Sequence, residues 1–305
     1  MLVIIEKMAL LTIMLAIGYL CAKLKLVGQD FNKGLSKLVI NVFLAGMILS
    51  SVINKQLDMS GGDLAFGIGM LTVMSLISLG LGFLTTTIPS LKNGDAGMYR
   101  ILIGFGNAGF VGLPVVSAVY GEGAVFFAAL INIPFNILLY TVGVMQLQRG
   151  AGVKKFELKK VLNVPIIATL LATVIFVFEI PMPLIVEDTA STIGAACVPL
   201  SMMSVGLSLG SVSIKDALTQ PRLYVINFVK LLVVPVVTWA LLRPLIDDAV
   251  MFGTIVLLAA CPPAIVCPIL GIDYGRDGVE SSEAVFIGSV LSVVTVPILI
   301  SVLGL

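Results

Sequence analysis

The residues best placed to do chemistry sit in two apolar stretches, GFGNAGFVGLP at 104–114 and CPPAIVCPIL at 261–270. The first carries Gly106, Asn107, Gly109, Gly112 and Pro114; the second carries Pro262, Pro263 and Pro268. In a helix interior a proline costs about 3 kcal/mol and a glycine about 1 kcal/mol relative to alanine. The two stretches therefore predict helix breaks near 107–114 and 261–268. A break frees backbone N–H and C=O groups, and in hydrocarbon each unpaired group is costly. It persists only where protein, water or a solute meets those groups. Two broken helices that cross can satisfy each other and leave a polar spot in the membrane. Asn107, with both donor and acceptor groups, can bond the freed backbone or a bound solute.

The charge inventory selects the solute. Neither 104–114 nor 259–271 contains Asp or Glu. A cation or proton site inside a membrane usually uses a carboxylate. The N-terminus of a half-helix presents free N–H groups and partial positive charge, which suits an anion. Lys230, in VINFVKLLVVPVV, is the one full charge well inside an apolar run. Three readings of it stand: a snorkelling side chain, a partner for a freed carbonyl, or a source of positive potential near the site. Asn132 and Asn136 are four residues apart and share a helix face. Their amides suit a carboxylate, the freed backbone or a neighbouring helix. Asn41 and Ser201 complete the candidate substrate-binding set with Asn107, Asn132 and Asn136; packing between helices is the other reading of Asn41, Ser201 and the neighbouring Ser204.

Chemistry of other kinds has little to work with. The chain has no His, and its four cysteines, Cys21, Cys197, Cys261 and Cys267, lie in apolar runs without a CxxC spacing. They read as packing residues, so no metal, disulfide or cofactor is expected. The glycines of GIGMLTVMSLISLGLGF contain no phosphate-binding GxxxxGK[ST] pattern and read as close packing. An intramembrane enzyme would need an acidic cluster or a nucleophile beside a base. The acidic residues Asp247, Asp248, Asp273, Asp277, Glu280 and Glu283 fall at expected helix ends or loops, so no enzyme is expected.

The elements that must position these residues are membrane helices. The 305-residue chain is 59% hydrophobic and 11% charged, where soluble domains carry about 25% charged residues. Net charge is +1, which gives no reason to expect a nucleic-acid partner. Ten apolar runs approach the length of a membrane helix: 2–22, 35–53, 64–88, 99–120, 123–145, 161–180, 189–211, 223–242, 250–270 and 284–303. Segments following odd-numbered runs, with Lys37 and Arg100 at the starts of the second and fourth runs, hold 14 of the 18 Lys and Arg residues. By the positive-inside rule those segments are cytoplasmic and both termini lie outside. The basic segment 149–160 divides the runs five and five. Five is odd, so two like halves enter the membrane in opposite directions, as an inverted repeat does. Residues 1–148 form the first repeat, 149–160 a cytoplasmic linker and 161–305 the second repeat. Placing Pro114 on Pro268 puts Asn107 on Cys261, so both halves interrupt their fourth helix.

The chain resembles the auxin efflux carrier family of membrane transport proteins, in particular its compact prokaryotic members. The resemblance rests on GNAGFVGLP at 106–114, YGEGA at 120–124 and NIPFNILLYTVGV at 132–144. In the second half it rests on VKLLVVP at 229–235, CPPA at 261–264 and YGRDGVESSEAVFIGSVLSVVTVPI at 274–298. It implies an all-α polytopic membrane protein of ten helices in a 5+5 inverted repeat, with broken helices 4 and 9 crossing. It also implies a scaffold of helices 1, 2, 6 and 7 and a transport domain of helices 3–5 and 8–10, moving substrate by a rocking or elevator-like motion. Family members carry organic anions, among them indole acetate, malate and malonate. CPPA has two prolines where the family more often has one, and the long loop of plant carriers is absent.

The reading is then a secondary transporter of small organic anions in the cell membrane. A cation/proton antiporter on the same fold is the alternative, disfavoured by the missing carboxylates and histidine. The expected partners are an organic anion, the lipid bilayer, a coupling proton or sodium ion, and a second copy of the chain.

Overall fold

The computed structural model describes residues 2–54, 60–92, 94–148, 162–210, 220–276 and 278–305. The expected linker, 149–160, lies outside the described residues. Among the described residues the chain is all-α, with one isolated β-bridge and no strand. That is the solution open to an apolar chain that closes its backbone hydrogen bonds within each segment. Among the described residues, six helices are long and apolar enough to cross a membrane: Asp30–Ser50, Gly61–Thr85, Gly123–Leu147, Leu184–Gly210, Pro221–Leu242 and Gly278–Leu303. Four apolar helices are shorter: Ala9–Lys23, Ala108–Tyr120, Val164–Val177 and Ala249–Ala259. Two of these short helices are parts of interrupted segments. Ala96–Gly104 precedes the first, and Val266–Asp273 follows the last.

The chain divides into two compact units that interleave along the sequence. The first comprises Met1–Gly69, Gly109–Ile133 and Leu162–Ser211; the second comprises Met70–Ala108, Pro134–Val161 and Val212–Leu305.

In the first unit, helix Leu2–Lys23 packs against Cys197–Gly210 at backbone distance. A Cβ on Gly18 would strike the Met203 carbonyl, and one on Gly206 would strike the Leu15 carbonyl. Small residues at such a seam are what lets membrane helices gain from van der Waals packing, since lipid tails are as apolar as leucine. Helices Leu44–Ser50 and Leu184–Ala195 pack in the same way, where a Cβ on Gly194 would lie 2.8 Å from Met47 Cα. On helix Leu2–Lys23, Leu10, Ile13, Ile17 and Leu20 are exposed at spacings of three and four residues. They form one apolar stripe turned away from the unit, as a lipid-facing surface is. A polar cluster ties Gln29–Leu38 to Cys197–Gly210. Asn32 donates to Ser208 Oγ at 2.8 Å, Ser204 Oγ donates to Asn32 Oδ1 at 3.0 Å, and the hydroxyls of Ser36 and Ser204 are 2.8 Å apart.

In the second unit the core includes the fully buried Tyr99, Ile101, Leu102, Ile103 and Phe105. Phe105 meets Phe135 edge to face, with ring centroids 5.3 Å apart. One end of this unit is polar. Tyr99 donates to Glu280 at 2.7 Å, Arg100 to Gln146 Oε1 at 2.9 Å, and Arg276 to the Leu147 carbonyl at 2.8 Å.

Candidate functional site

Two half-helices of the second unit lead into the site, and they start alike. Asp95 caps Ala96–Gly104 by accepting from Met98 N at 3.0 Å, and Asp248 caps Ala249–Ala259 by accepting from Met251 N at 2.6 Å. An Asp side chain at this position satisfies one of the donors that a helix start leaves open. Both caps read Asp-Ala-x-Met, DAGM at 95–98 and DAVM at 248–251.

Both half-helices then stop. After Gly104, Phe105 is extended, with φ −119° and ψ 116°. After Ala259 the chain stays non-helical until Val266. The two breaks pair as a minimal antiparallel ladder centred on Gly106 opposite Pro263. Asn107 N donates to Pro262 O at 2.7 Å, and Ala264 N donates to Phe105 O at 2.9 Å. Ala108 N turns back to Gly106 O at 2.9 Å. In this register the bonds come from residues flanking the Gly106–Pro263 pair, so the ladder does not use the N–H that Pro263 lacks. The freed groups of one helix thus become partners for those of the other.

The non-helical residues, 105–107 and 260–265, lie at the N-terminal edge of the stretches expected from the sequence. Pro268 falls in the first turn of Val266–Asp273, where a missing N–H leaves no helical bond unmade. Pro114 stands two residues beyond the end of the π-helical turn Ala108–Gly112. Pro235 stands in the same relation to the π-turn Val229–Val233. A proline ring crowds the carbonyl one turn back, and a widened turn relieves that crowding. Of the glycines, Gly106 is the one set by close approach within the ladder. A Cβ there would lie 3.1 Å from Lys230 Nζ and 3.3 Å from Leu258 O. At Gly109 a Cβ would make an ordinary 3.4 Å contact with Leu44, and Gly112 is helical.

Lys230 sits on the π-turn Val229–Val233 and is 1% exposed. Its Nζ donates to the Ala259 carbonyl at 3.1 Å, at the C-terminal end of the half-helix Ala249–Ala259. This geometry makes Lys230 a partner of a freed carbonyl, at the end of the helix where partial negative charge favours a cation. A snorkelling lysine would end in water, and this one does not.

The remaining candidates fall in both units. Asn107 is buried in the second unit, with its backbone N–H in the ladder. Asn132, in the first unit, is buried and donates to Ala129 O at 2.9 Å. Asn136 is buried in the second unit. Asn41 is exposed on the π-turn Val39–Phe43 and donates back to Lys37 O at 2.7 Å. Ser201 is buried in the first unit, with its hydroxyl 3.7 Å from Cys197 Sγ. Two buried polar residues in the second unit lie outside the candidate set. Asn227, fully buried, stands three residues before Lys230; its signal was a polar side chain within the run VINFVK. Glu283 is 4% exposed and accepts from Gln220 Nε2 at 2.9 Å. The sequence puts it at a helix end or in a loop, just before the apolar run at 284, whereas the last helix, Gly278–Leu303, begins earlier.

Comparison with known proteins places these features in a family context. The family described as membrane transport protein (Mem_trans) matches residues 3–300 of the chain. An uncharacterized transporter of Methanothermobacter thermautotrophicus is 24% identical over 294 residues, covering 94% of each chain. One from Methanocaldococcus jannaschii is 23% identical, covering 93% of this chain and 94% of its own. The uncharacterized transporter YfdV of Escherichia coli is 23% identical, covering 92% of each.

Proposed function

This chain belongs to the membrane transport protein family, the auxin efflux carrier family of the resemblance above, and from that premise we propose that it is a secondary carrier of small organic anions. The observation that carries the proposal is the paired break of the second unit. Two interrupted helices meet, a lysine rather than a carboxylate stands beside them, and Asn107 is buried at their junction. A polar spot with a lysine and no carboxylate beside the breaks suits a carboxylate ligand better than a metal cation or a proton.

The finer architecture belongs to the same proposal. The chain crosses the membrane ten times as a 5+5 inverted repeat, with both termini outside the cytoplasm. The shared Asp-Ala-x-Met caps, each followed by a half-helix and a break, support the repeat. Helices 1, 2, 6 and 7 act as scaffold, and helices 3–5 and 8–10 carry substrate by alternating access around the crossover, in an elevator-like motion. The substrate-binding set is Asn107 with Asn132, Asn136, Asn41 and Ser201. The protein works in the cell (inner) membrane as a homodimer, coupled to a proton or a sodium ion, and as a carrier, not an enzyme.

Purified protein should show a raised melting temperature with malate or malonate, because a ligand that binds the folded state stabilises it by mass action. Proteoliposomes should show counterflow of radiolabelled malate. No shift and no flux across a panel of mono- and dicarboxylates would sink the reading. The cation/proton antiporter alternative draws on Glu283, a buried carboxylate in an apolar helix. Sodium-driven proton flux without carboxylate flux would select it.

A further inference from the structure

Asn227 presents a buried acceptor that nothing in the described residues satisfies. Its Nδ2 donates twice, to Leu223 O at 2.9 Å and to Ala284 O at 3.0 Å. Both partners are carbonyls, which can only accept, so the amide orientation is fixed and the remaining atom is Oδ1. That oxygen is buried with no hydrogen-bond partner. Such a group carries a desolvation penalty until a donor from outside the described residues meets it.

Its surroundings place it at the crossover. A Cβ added to Gly288 would strike Asn227 Oδ1 and lie 2.6 Å from Pro263 Cδ. Lys230, three residues further along the same segment, approaches Gly106, the residue opposite Pro263 in the ladder. The two side chains therefore flank one Gly–Pro pair. Lys230 has one acceptor, the Ala259 carbonyl, and no carboxylate pairs with it among the described residues. An ammonium has three donors, so two of them are available to a ligand.

We propose that Lys230 and Asn227 form an anion subsite beside the paired breaks that takes a 2-hydroxycarboxylate, with its carboxylate on Lys230 Nζ and its hydroxyl donating to Asn227 Oδ1. This rests on the organic-anion reading above and narrows it to a substrate class. Oδ1 is closed over by Gly288 here, so the ligand hydroxyl reaches it when helix Gly278–Leu303 shifts from Pro221–Phe228. Gly106 and Gly288 leave the two sides of the ladder without a Cβ, which keeps both charged and neutral ligand atoms within reach of it.

The test uses matched ligands on full-length purified protein: malate against succinate, lactate against propionate, and each acid against its neutral amide. Binding is read by melting-temperature titration. Wild type should prefer the hydroxy acid roughly tenfold or more, as expected when a buried acceptor otherwise stays unpaired. Asn227→Leu should abolish that preference while still binding the deoxy acid. Lys230→Gln keeps a donor for Ala259 O and should lose the preference for carboxylate over amide. If Lys230→Gln does not fold, Gly106→Ala, which crowds Nζ without removing its charge, should weaken carboxylate binding. Equal binding of hydroxy and deoxy acids by wild type overturns the subsite and leaves the organic-anion reading standing. So does an unchanged preference in Asn227→Leu, which would mean that water meets Oδ1, or wild-type carboxylate binding in Lys230→Gln or, where that variant does not fold, in Gly106→Ala. No carboxylate bound by wild type at all overturns the organic-anion reading itself.

Discussion

At residue scale, Asn107 belongs to the paired break through both its backbone and its side chain. Its backbone N–H belongs to the ladder, held by Pro262 O, while its side chain is buried at the same junction. Replacing the side chain leaves the ladder bond in place, so Asn107→Ala should fold and reach the membrane. Transport should suffer, because an amide that bonds a ligand or a freed group contributes about 1–3 kcal/mol when its partner is left unpaired. That corresponds to roughly a 5- to 150-fold loss of apparent affinity. Uptake at matched expression measures it. Asn107→Ser retains a hydroxyl oxygen and should behave like wild type only if the side chain serves as a local cap. Normal transport by Asn107→Ala would remove the residue from the site.

At the scale of elements, the breaks and the glycine seams rely on opposite uses of small or irregular residues. In the breaks, prolines keep two helices from closing, and the partner break supplies the missing bonds. Alanine at both Pro262 and Pro263 restores the N–H groups and lowers the barrier to a continuous helix. The expected outcome is a protein at least as stable as wild type in melting temperature but slow in counterflow. A variant with wild-type flux would show that the break does not depend on these prolines. In the seams, glycine permits contact. Gly206→Val would drive methyl groups into the Leu15 carbonyl. Overpacking of this kind costs about 1–3 kcal/mol, read as a lowered melting temperature in detergent. Gly69 offers the control, since a Cβ there meets nothing within 4 Å. Gly69→Ala should be neutral or slightly stabilising, because alanine is the better helix former.

For the whole molecule, the distribution of basic residues sets the expected orientation. That orientation rests on 14 of 18 basic residues on one side. A single cysteine at position 150, in a chain whose Cys21, Cys197, Cys261 and Cys267 have been replaced, should react with an impermeant reagent only from the cytoplasmic side. Labelling of intact cells from outside would reverse the topology. The organisation into two units was only partly legible. Counting apolar runs located the helical segments, because roughly 20 apolar residues per crossing is a strong compositional signal. It does not reveal that residues 109–133 belong with the first unit while 70–108 belong with the second. That division follows from packing between segments distant in sequence.

The sequence by itself determined that the chain is helical, membrane-embedded and interrupted in two segments, since each of these follows from local composition and from residues that cannot continue a helix. It also isolated Asn107 and Lys230 as polar groups in apolar surroundings. Only the tertiary structure decided what those groups meet. The π-turn Val229–Val233 carries Lys230 to the end of Ala249–Ala259, and Gly106 finds Pro263 across 157 positions of chain (263 − 106). It likewise drew Glu283 inside a helix and left Asn227 Oδ1 without a donor. The reason is physical: a helix break advertises itself through proline and glycine, but the partner that satisfies it is chosen by which backbone groups the fold brings within about 3 Å.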